Sequence, residues 1–201
     1  KVKRGAQDKK FILAPDKTTV AALLKKCGRL IKVMTVAPEL EGMRPLIRFI
    51  RKKGIVAALG HTNATFEEAK RGFEAGIELV THLFNAMSGI EARSPGASAA
   101  ALAGKNIFCE VILDGEHLHP GIFKLILALK GRDKIILITD SIAASDLKGK
   151  SIEKFKFIYK MQNGTIAGSN LTLNTALKNS VRFSGIDLKE AIKFVTINPA
   201  K

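Results

Sequence analysis

The sequence predicts an α/β fold in which a parallel sheet is covered by helices, and two observations carry the prediction. Short, nearly continuous apolar runs recur along the chain, and the segments between them have the apolar spacing of amphipathic helices. The runs begin 24 to 28 residues apart, about one strand and one helix each. They are Leu30–Val36, Ile55–Leu59, Leu79–Leu83, Ile107–Leu113 and Ile135–Ile138.

The helices between these runs have recognisable ends. Thr65-Phe66-Glu67-Glu68 has the sequence of a capping box, in which the threonine and the second glutamate bond each other's backbone, and Gly76 ends that helix. Arg44–Lys53 and Ile122–Lys130 repeat apolar residues every three or four positions, as buried helix faces do.

The pattern changes after Asp140. Phe155–Met161 alternates between apolar and polar residues, and residues 162–164 (Gln-Asn-Gly) predict a turn into a second short strand, hence a hairpin. Two helices are predicted next, at Leu171–Ser184 and Leu188–Val195. Because no linker-like or low-complexity stretch divides the chain, we expect one domain over residues 1–201.

The charge balance raises the possibility of nucleic-acid binding. The 201 residues include 33 Lys and Arg against 18 Asp and Glu, a formal net charge of +15. The basic residues are scattered, however, and one Tyr with no Trp offers few platforms on which bases could stack. We therefore expect weak, unspecific attraction and no specific nucleic-acid partner.

The remaining composition is typical of a cytoplasmic protein. No apolar run reaches the roughly 18 residues that a membrane span needs, because charged residues interrupt every candidate. Cys27 and Cys109 match no metal or redox spacing, so we expect reduced, buried thiols.

Polar residues follow each predicted strand, at the edge where parallel α/β folds bind their ligands. His61 and His82 follow neighbouring strands, so their imidazoles can converge on one divalent metal rather than serve as isolated core histidines. Asp140 ends the fifth strand and suits a general base, although capping the following segment is the alternative. His117 lies three residues after Asp114 and could donate a hydrogen bond to a polarised carbonyl.

Four of these strand-end segments resemble the successive motifs of the N-acetylglucosamine-6-phosphate deacetylase family, metal-dependent hydrolases of the amidohydrolase superfamily. They are Gly-His-Thr-Asn-Ala-Thr at 60–65, Thr-His-Leu-Phe-Asn-Ala-Met at 81–87, Asp-Gly-Glu-His at 114–117 and Thr-Asp at 139–140. The resemblance covers essentially the whole chain. It implies a partial (β/α)8 TIM barrel, that is, a fragment of a catalytic barrel. The fragment would contain the last five strand–helix units of the barrel, a short hairpin and C-terminal helices.

The resemblance implies hydrolysis of the N-acetyl group of N-acetylglucosamine 6-phosphate to glucosamine 6-phosphate and acetate, in amino-sugar catabolism. It assigns one divalent metal to His61 and His82, with Zn²⁺ expected first and Fe, Mn or Co as alternatives, and it makes Asp140 the catalytic residue. A homodimer is expected of the full-length protein. The implied substrate-binding residues are Ala6, Gln7, Asn85, Ala86, Arg93, His117, Ile166, Ala167 and Gly168.

One element of the family pattern does not occur in the sequence. The third metal ligand of the family is a glutamate in a His-Leu-Glu-Gly-Pro motif, which we expect just upstream of Lys1 with the earlier barrel strands and a small β domain. Glu39 follows the first strand but does not belong to that motif. Two alternatives stay open: a catalytically incomplete fragment that binds sugar phosphates, and an amidohydrolase acting on a different acylated amino sugar.

Overall fold

The computed structural model describes residues 2–12, 16–143 and 152–201, and it confirms the alternation of strands and helices. Among these residues, five strands form a parallel sheet in chain order and three form an antiparallel sheet. The parallel sheet contains β1 (Val33–Val36), β2 (Val56–Leu59), β3 (Leu79–Val80), β4 (Phe108–Ile112) and β5 (Ile135–Ile138). The antiparallel sheet contains β6 (Ile152–Phe155), β7 (Ile158–Met161) and β8 (Ile166–Ser169).

Helices separate the strands of the parallel sheet and follow the antiparallel one. Short 3-10 turns occupy Lys9–Phe11 and Ile192–Val195. No helix among the described residues combines the length and apolarity of a membrane span. The α-helices are α1 (Lys17–Cys27), α2 (Met43–Lys52), α3 (Phe66–Ala75), α4 (Ala97–Ala103), α5 (Pro120–Lys130), α6 (Leu173–Ser184) and α7 (Leu188–Ala191).

The chain divides into two compact units, of which the first covers residues 1–109. Val33 pairs with Val56 across β1 and β2, and Leu79 pairs with Phe108 across β3 and β4. The capping box of α3 is confirmed, because Thr65 and Glu68 bond each other's backbone. The fully buried side chains of this unit include Ile47 and Ile50 on α2, Leu59 on β2, and Ile77 and Leu83, which lie just before and just after β3.

The second unit covers residues 110–201. Phe123 on α5 meets Phe194 edge to face, with ring centroids 6.5 Å apart, and both are completely buried. Near the end of the chain, the Asn198 side-chain amide donates to the carbonyl of Ile135 at 2.7 Å and so holds that segment against β5.

The structure corrects two details of the sequence interpretation. The alternating run Phe155–Met161 is not one strand, because the chain turns at Lys156, whose φ is +48°, and divides the run between β6 and β7. The hairpin that β7 and β8 form is as expected. Both thiols are free, but only Cys109 is buried and Cys27 is half-buried.

Candidate active site

Two imidazole rings face each other where β2 and β3 end. The Nε2 atoms of His61 and His82 lie 3.1 Å apart, with the ring planes at 78°. Two nitrogens bound to one tetrahedral Zn²⁺ at about 2.0–2.1 Å would lie roughly 3.3–3.4 Å from each other. The separation is therefore close to that of two ligands of a single ion.

The other nitrogen of His61 supports this assignment. Its Nδ1 lies 3.0 Å from the carbonyl oxygen of Lys3, an atom that can only accept a hydrogen bond. Nδ1 therefore carries the hydrogen, and the lone pair of Nε2 points toward His82, as in metal-binding histidines whose second nitrogen is held by a carbonyl. The two rings fit a divalent cation. No group of three or more His, Cys, Asp or Glu side chains suited to a metal occurs within 2–12, 16–143 and 152–201.

The backbone at these positions is strained. Six non-glycine residues in the described parts of the chain have φ between +31° and +75°, a region that side chains disfavour. Three of them are His61, His82 and Asp140, the residues that the sequence nominates for metal binding and catalysis. Strain of this kind costs about 1–3 kcal/mol per residue and persists where the surrounding structure enforces it, often at active sites.

Hydrogen bonds from neighbouring strand ends hold the His61 turn. The carboxylate of Glu39 accepts from the hydroxyl of the buried Thr62 at 2.5 Å and from the backbone N–H of Asn63 at 2.8 Å. The N–H of Thr62 in turn donates to the carbonyl of Ala86 at 3.1 Å. Glu39 therefore supports the His61 turn through its neighbours, a role that the sequence analysis did not assign to it.

The substrate residues predicted in the first unit lie on three different segments of the chain. Asn85 and Ala86 belong to the turn that follows His82, and the N–H of Asn85 donates to the His82 carbonyl at 2.9 Å. Ala6 lies beside Gln7, and Gln7 lines a cavity of about 260 Å³ whose wall includes His61. Arg93 is exposed in the loop that leads to α4.

His117 in the second unit is fixed by a carboxylate. Its Nδ1 lies 2.6 Å from Oδ2 of Asp114, and the two side chains are 4% and 0% exposed. Burial by itself raises the pKa of Asp114, but hydrogen bonds from the His117 ring and from the backbone of His117 and Glu116 outweigh it and hold that pKa below its ordinary value. The spacing of Asp114 and His117 was visible in the sequence, but their pairing was not assigned.

Asp140 follows β5 by two residues, with an exposed side chain and a left-handed backbone. Its carbonyl accepts the N–H of Ser169 at 3.0 Å, so β8 lies directly against this strand end. Ser169, directly after the predicted segment of Ile166, Ala167 and Gly168, thus supports Asp140 through the backbone. The alternative of a helix cap would act on the N–H groups of residues 142 and 143, and the N–H of Ile142 donates instead to the carbonyl of Ser169 at 3.1 Å.

Comparison with known proteins agrees with this geometry. The amidohydrolase family model matches residues 33–201. The N-acetylglucosamine-6-phosphate deacetylase of Bacillus subtilis (strain 168) is 35% identical over 204 residues, covering 98% of this chain and 52% of that protein. The N-acetylgalactosamine-6-phosphate deacetylase of Escherichia coli O157:H7 is 31% identical, covering 85% of this chain and 47% of that protein.

A solved structure shows the same likeness in three dimensions. The N-acetyl-D-glucosamine-6-phosphate deacetylase of Mycobacterium smegmatis, in complex with N-acetyl-D-glucosamine-6-phosphate, superposes with a TM-score of 0.93 at 30% identity. The match covers 98% of this chain and 55% of that one. The chain thus spans about half the length of the curated relatives and solved structures it matches.

Proposed function

The chain belongs to the amidohydrolase family, and we propose that it supplies the metal-binding and catalytic strand ends of an enzyme that deacetylates an N-acetylated amino-sugar 6-phosphate. The products are the free amino sugar 6-phosphate and acetate. N-acetylglucosamine 6-phosphate is the first expected substrate. The observation that carries the proposal is the pair of converging Nε2 atoms on the strained strand ends of His61 and His82.

His61 and His82 are the residues that would hold the metal, for which we expect Zn²⁺ first. When bound there, a divalent ion polarises a carbonyl and makes a neighbouring water easier to deprotonate. The hydrogen bond of His61 Nδ1 to the Lys3 carbonyl keeps the ring in the tautomer that such an ion requires.

Asp140 is the proposed general base and then general acid. Its carboxylate takes a proton from the attacking water as the new C–O bond forms, and it returns that proton to the amide nitrogen as the C–N bond breaks. The exposed side chain is open to a substrate, while the bond from Ser169 to the Asp140 carbonyl fixes the backbone that carries it.

Substrate contacts are proposed for the residues that resemble the binding motifs. Arg93 and the turn of Asn85 and Ala86 would bind the phosphate, since guanidinium geometry matches phosphate oxygens. Ala6 and Gln7, with residues 166–168, would line the sugar. The net charge of +15 favours an anionic substrate.

Two statements about the cellular context complete the proposal. A sugar phosphate is charged and does not cross a bilayer freely, so we place the reaction in the cytoplasm, which also agrees with the free thiols. We further propose a homodimer for the full-length protein, which light scattering on the purified protein tests.

Acetate release tests the function. The protein, expressed from its full gene and reconstituted with Zn²⁺, Fe²⁺, Mn²⁺ or Co²⁺, is expected to release acetate from N-acetylglucosamine 6-phosphate. Asp140→Asn should retain metal but lose turnover by about 10²–10⁴-fold, the usual worth of a general acid–base group. N-acetylgalactosamine 6-phosphate and unphosphorylated N-acetylglucosamine, assayed in parallel, determine the sugar preference and the need for phosphate.

Metal content separates the roles of the histidines. His61→Ala should lose both bound metal and activity, whereas His119→Ala is the matched control, because His119 only caps α5 by accepting the N–H of Gly121. Metal binding that survives His61→Ala would contradict the assigned site. Tight binding of the sugar phosphate without turnover by any metal-loaded form would instead establish a binding protein.

A further inference from the structure

Asp114 has no role in the reaction proposed above, yet its carboxylate is buried and hydrogen-bonded on both oxygens. Oδ1 accepts the backbone N–H groups of Glu116 and His117, each at 2.8 Å. Oδ2 lies 2.6 Å from Nδ1 of His117. One side chain therefore holds both the backbone turn and the ring that the turn presents.

The charge state of Asp114 determines which ring nitrogen of His117 carries hydrogen. Its hydrogen bonds outweigh burial and hold the pKa of Asp114 below its ordinary value, so this side chain is a carboxylate at neutral pH. A carboxylate only accepts hydrogen bonds. Nδ1 of His117 must therefore carry a hydrogen, and Nε2 is the nitrogen on the far side of the ring.

Further contacts anchor the segment around this pair. The buried side chain of Asn179, on α6, donates to the carbonyl of Leu113 at 2.9 Å, just before the turn. Glu116, within the turn, forms a 2.9 Å ion pair with Lys156. Because the segment is held at two points besides Asp114 itself, the carboxylate is a fixed reference for the ring.

We propose that Asp114 is a positioning residue for the deacetylation: it fixes the orientation of the His117 ring and the hydrogen on Nδ1, so that Nε2 is the atom offered to the substrate's acetamido group. This inference rests on the proposed function, in which His117 contacts that group. When the ring is protonated, Nε2–H donates to the carbonyl, and the carboxylate of Asp114 stabilises the cation. The same division of labour is described for the aspartate of serine-protease triads, whose replacement by asparagine leaves the wrong tautomer.

Asp114→Asn is the informative variant. Its side-chain oxygen can still accept the two backbone N–H groups, so the turn is kept, but its NH₂ group faces Nδ1 and donates to it. The neutral His117 ring should then carry its hydrogen on Nε2. We expect kcat/KM for the acetylated sugar phosphate to fall about 10–100-fold, mostly through kcat, because the asparagine amide, unlike the carboxylate, does not stabilise the protonated ring that donates to the changing carbonyl.

Nitrogen NMR of the His117 ring gives a readout that does not depend on activity. With ¹⁵N-labelled histidine and alkaline pH, the wild-type Nδ1 should give a pyrrole-type signal and the Nε2 a pyridine-type signal, and Asp114→Asn should exchange the two types. Asp133→Asn is the matched control. It makes the same carboxylate-to-amide change at an exposed aspartate outside the turn, and it should change neither the ring signals nor kcat.

The outcomes separate this inference from the proposed function. Unchanged ring signals in a folded Asp114→Asn protein would overturn the inference, as would an exchanged tautomer with undiminished kcat in an active enzyme. A wild-type protein that releases no acetate refutes the proposed function, and the positioning role in catalysis with it. A tautomer exchange accompanied by the loss in kcat supports the inference, and thermal unfolding of each variant verifies that it is folded.

Discussion

Gly168 occupies a position where a single methyl group should disturb both stability and catalysis. Its φ is +139°, and a Cβ added there would lie 2.8 Å from Cγ2 of Ile142 and 3.0 Å from the carbonyl oxygen of Asp140. That carbonyl belongs to the proposed catalytic residue and accepts the N–H of Ser169. Gly168→Ala therefore forces either β8 or the Asp140 backbone to move.

The magnitude follows from two separate costs. A side chain at this φ costs about 1–3 kcal/mol in backbone strain, and the added methyl group costs about 1–3 kcal/mol in overpacking. Gly164 supplies the control, since its φ is +78° but an added Cβ meets nothing within 4 Å. Gly164→Ala thus carries only the backbone cost. The difference between the variants should be about 2 kcal/mol, or roughly 4–8 °C in Tm for a domain of this size.

Thermal unfolding and acetate release, measured on the two variants side by side, test this prediction. Displacement of a catalytic group by about 1 Å can cost 10²-fold in rate, so Gly168→Ala should lose at least about 10-fold in kcat while Gly164→Ala stays near wild type. Equal Tm values for the two variants would refute the steric argument. A stability loss in Gly168→Ala without any loss in kcat would show that β8 yields and that Asp140 does not depend on it.

Two further predictions concern the first unit. Glu39→Gln keeps one acceptor oxygen but turns an NH₂ group toward the second donor, which loosens the His61 turn. The affinity for Zn²⁺, measured by calorimetry, should therefore fall about 10–100-fold. Glu41→Gln, two residues away, is the control and should leave that affinity unchanged. Thr65→Ala should cost about 1 kcal/mol of stability at neutral pH by removing the helix cap. Hydrogen bonds from Thr65 lower the pKa of Glu68. The stability that they give the folded protein is therefore present above the ordinary pKa of a glutamate and is lost as acid protonates the Glu68 carboxylate. Thermal unfolding should therefore show a smaller deficit in acid, and a constant deficit would contradict this account.

The parallel sheet was predictable because its strands are apolar on both faces. The runs nevertheless exceeded the strands where the chain leaves the sheet. Leu79–Leu83 contains only two strand residues, because the backbone turns left-handed at His82. Leu30–Val36 forms a strand only from Val33 onward, and Leu30 is 85% exposed. Hydropathy therefore indicates that a strand lies within the run, and it does not report the residue at which that strand begins or ends.

Two helices escaped the sequence analysis for different reasons. The α4 sequence Ala97–Ala103 buries Ala97, Ala100 and Ala101, but a segment composed almost wholly of alanine has no polar face to reveal a period. Lys17–Cys27, by contrast, has a helical period that was overlooked, since its half-buried residues Val20, Leu24 and Cys27 recur every three or four positions. Periodicity detects a helix only when one side is covered and the other is solvated.

All four histidines follow predicted strands, three of them were nominated for the site, and the backbone separates them. His119 has an ordinary φ of −63° and caps α5, while His117 is held by Asp114. Only His61 and His82 combine left-handed φ values with Nε2 atoms that face each other. No amino-acid pattern encodes that strain, because it arises from contacts between distant segments, such as the bond that joins His61 to Lys3. A sequence can therefore place polar residues at the right edge of a sheet, and the packing around each strand end decides which of them face one another.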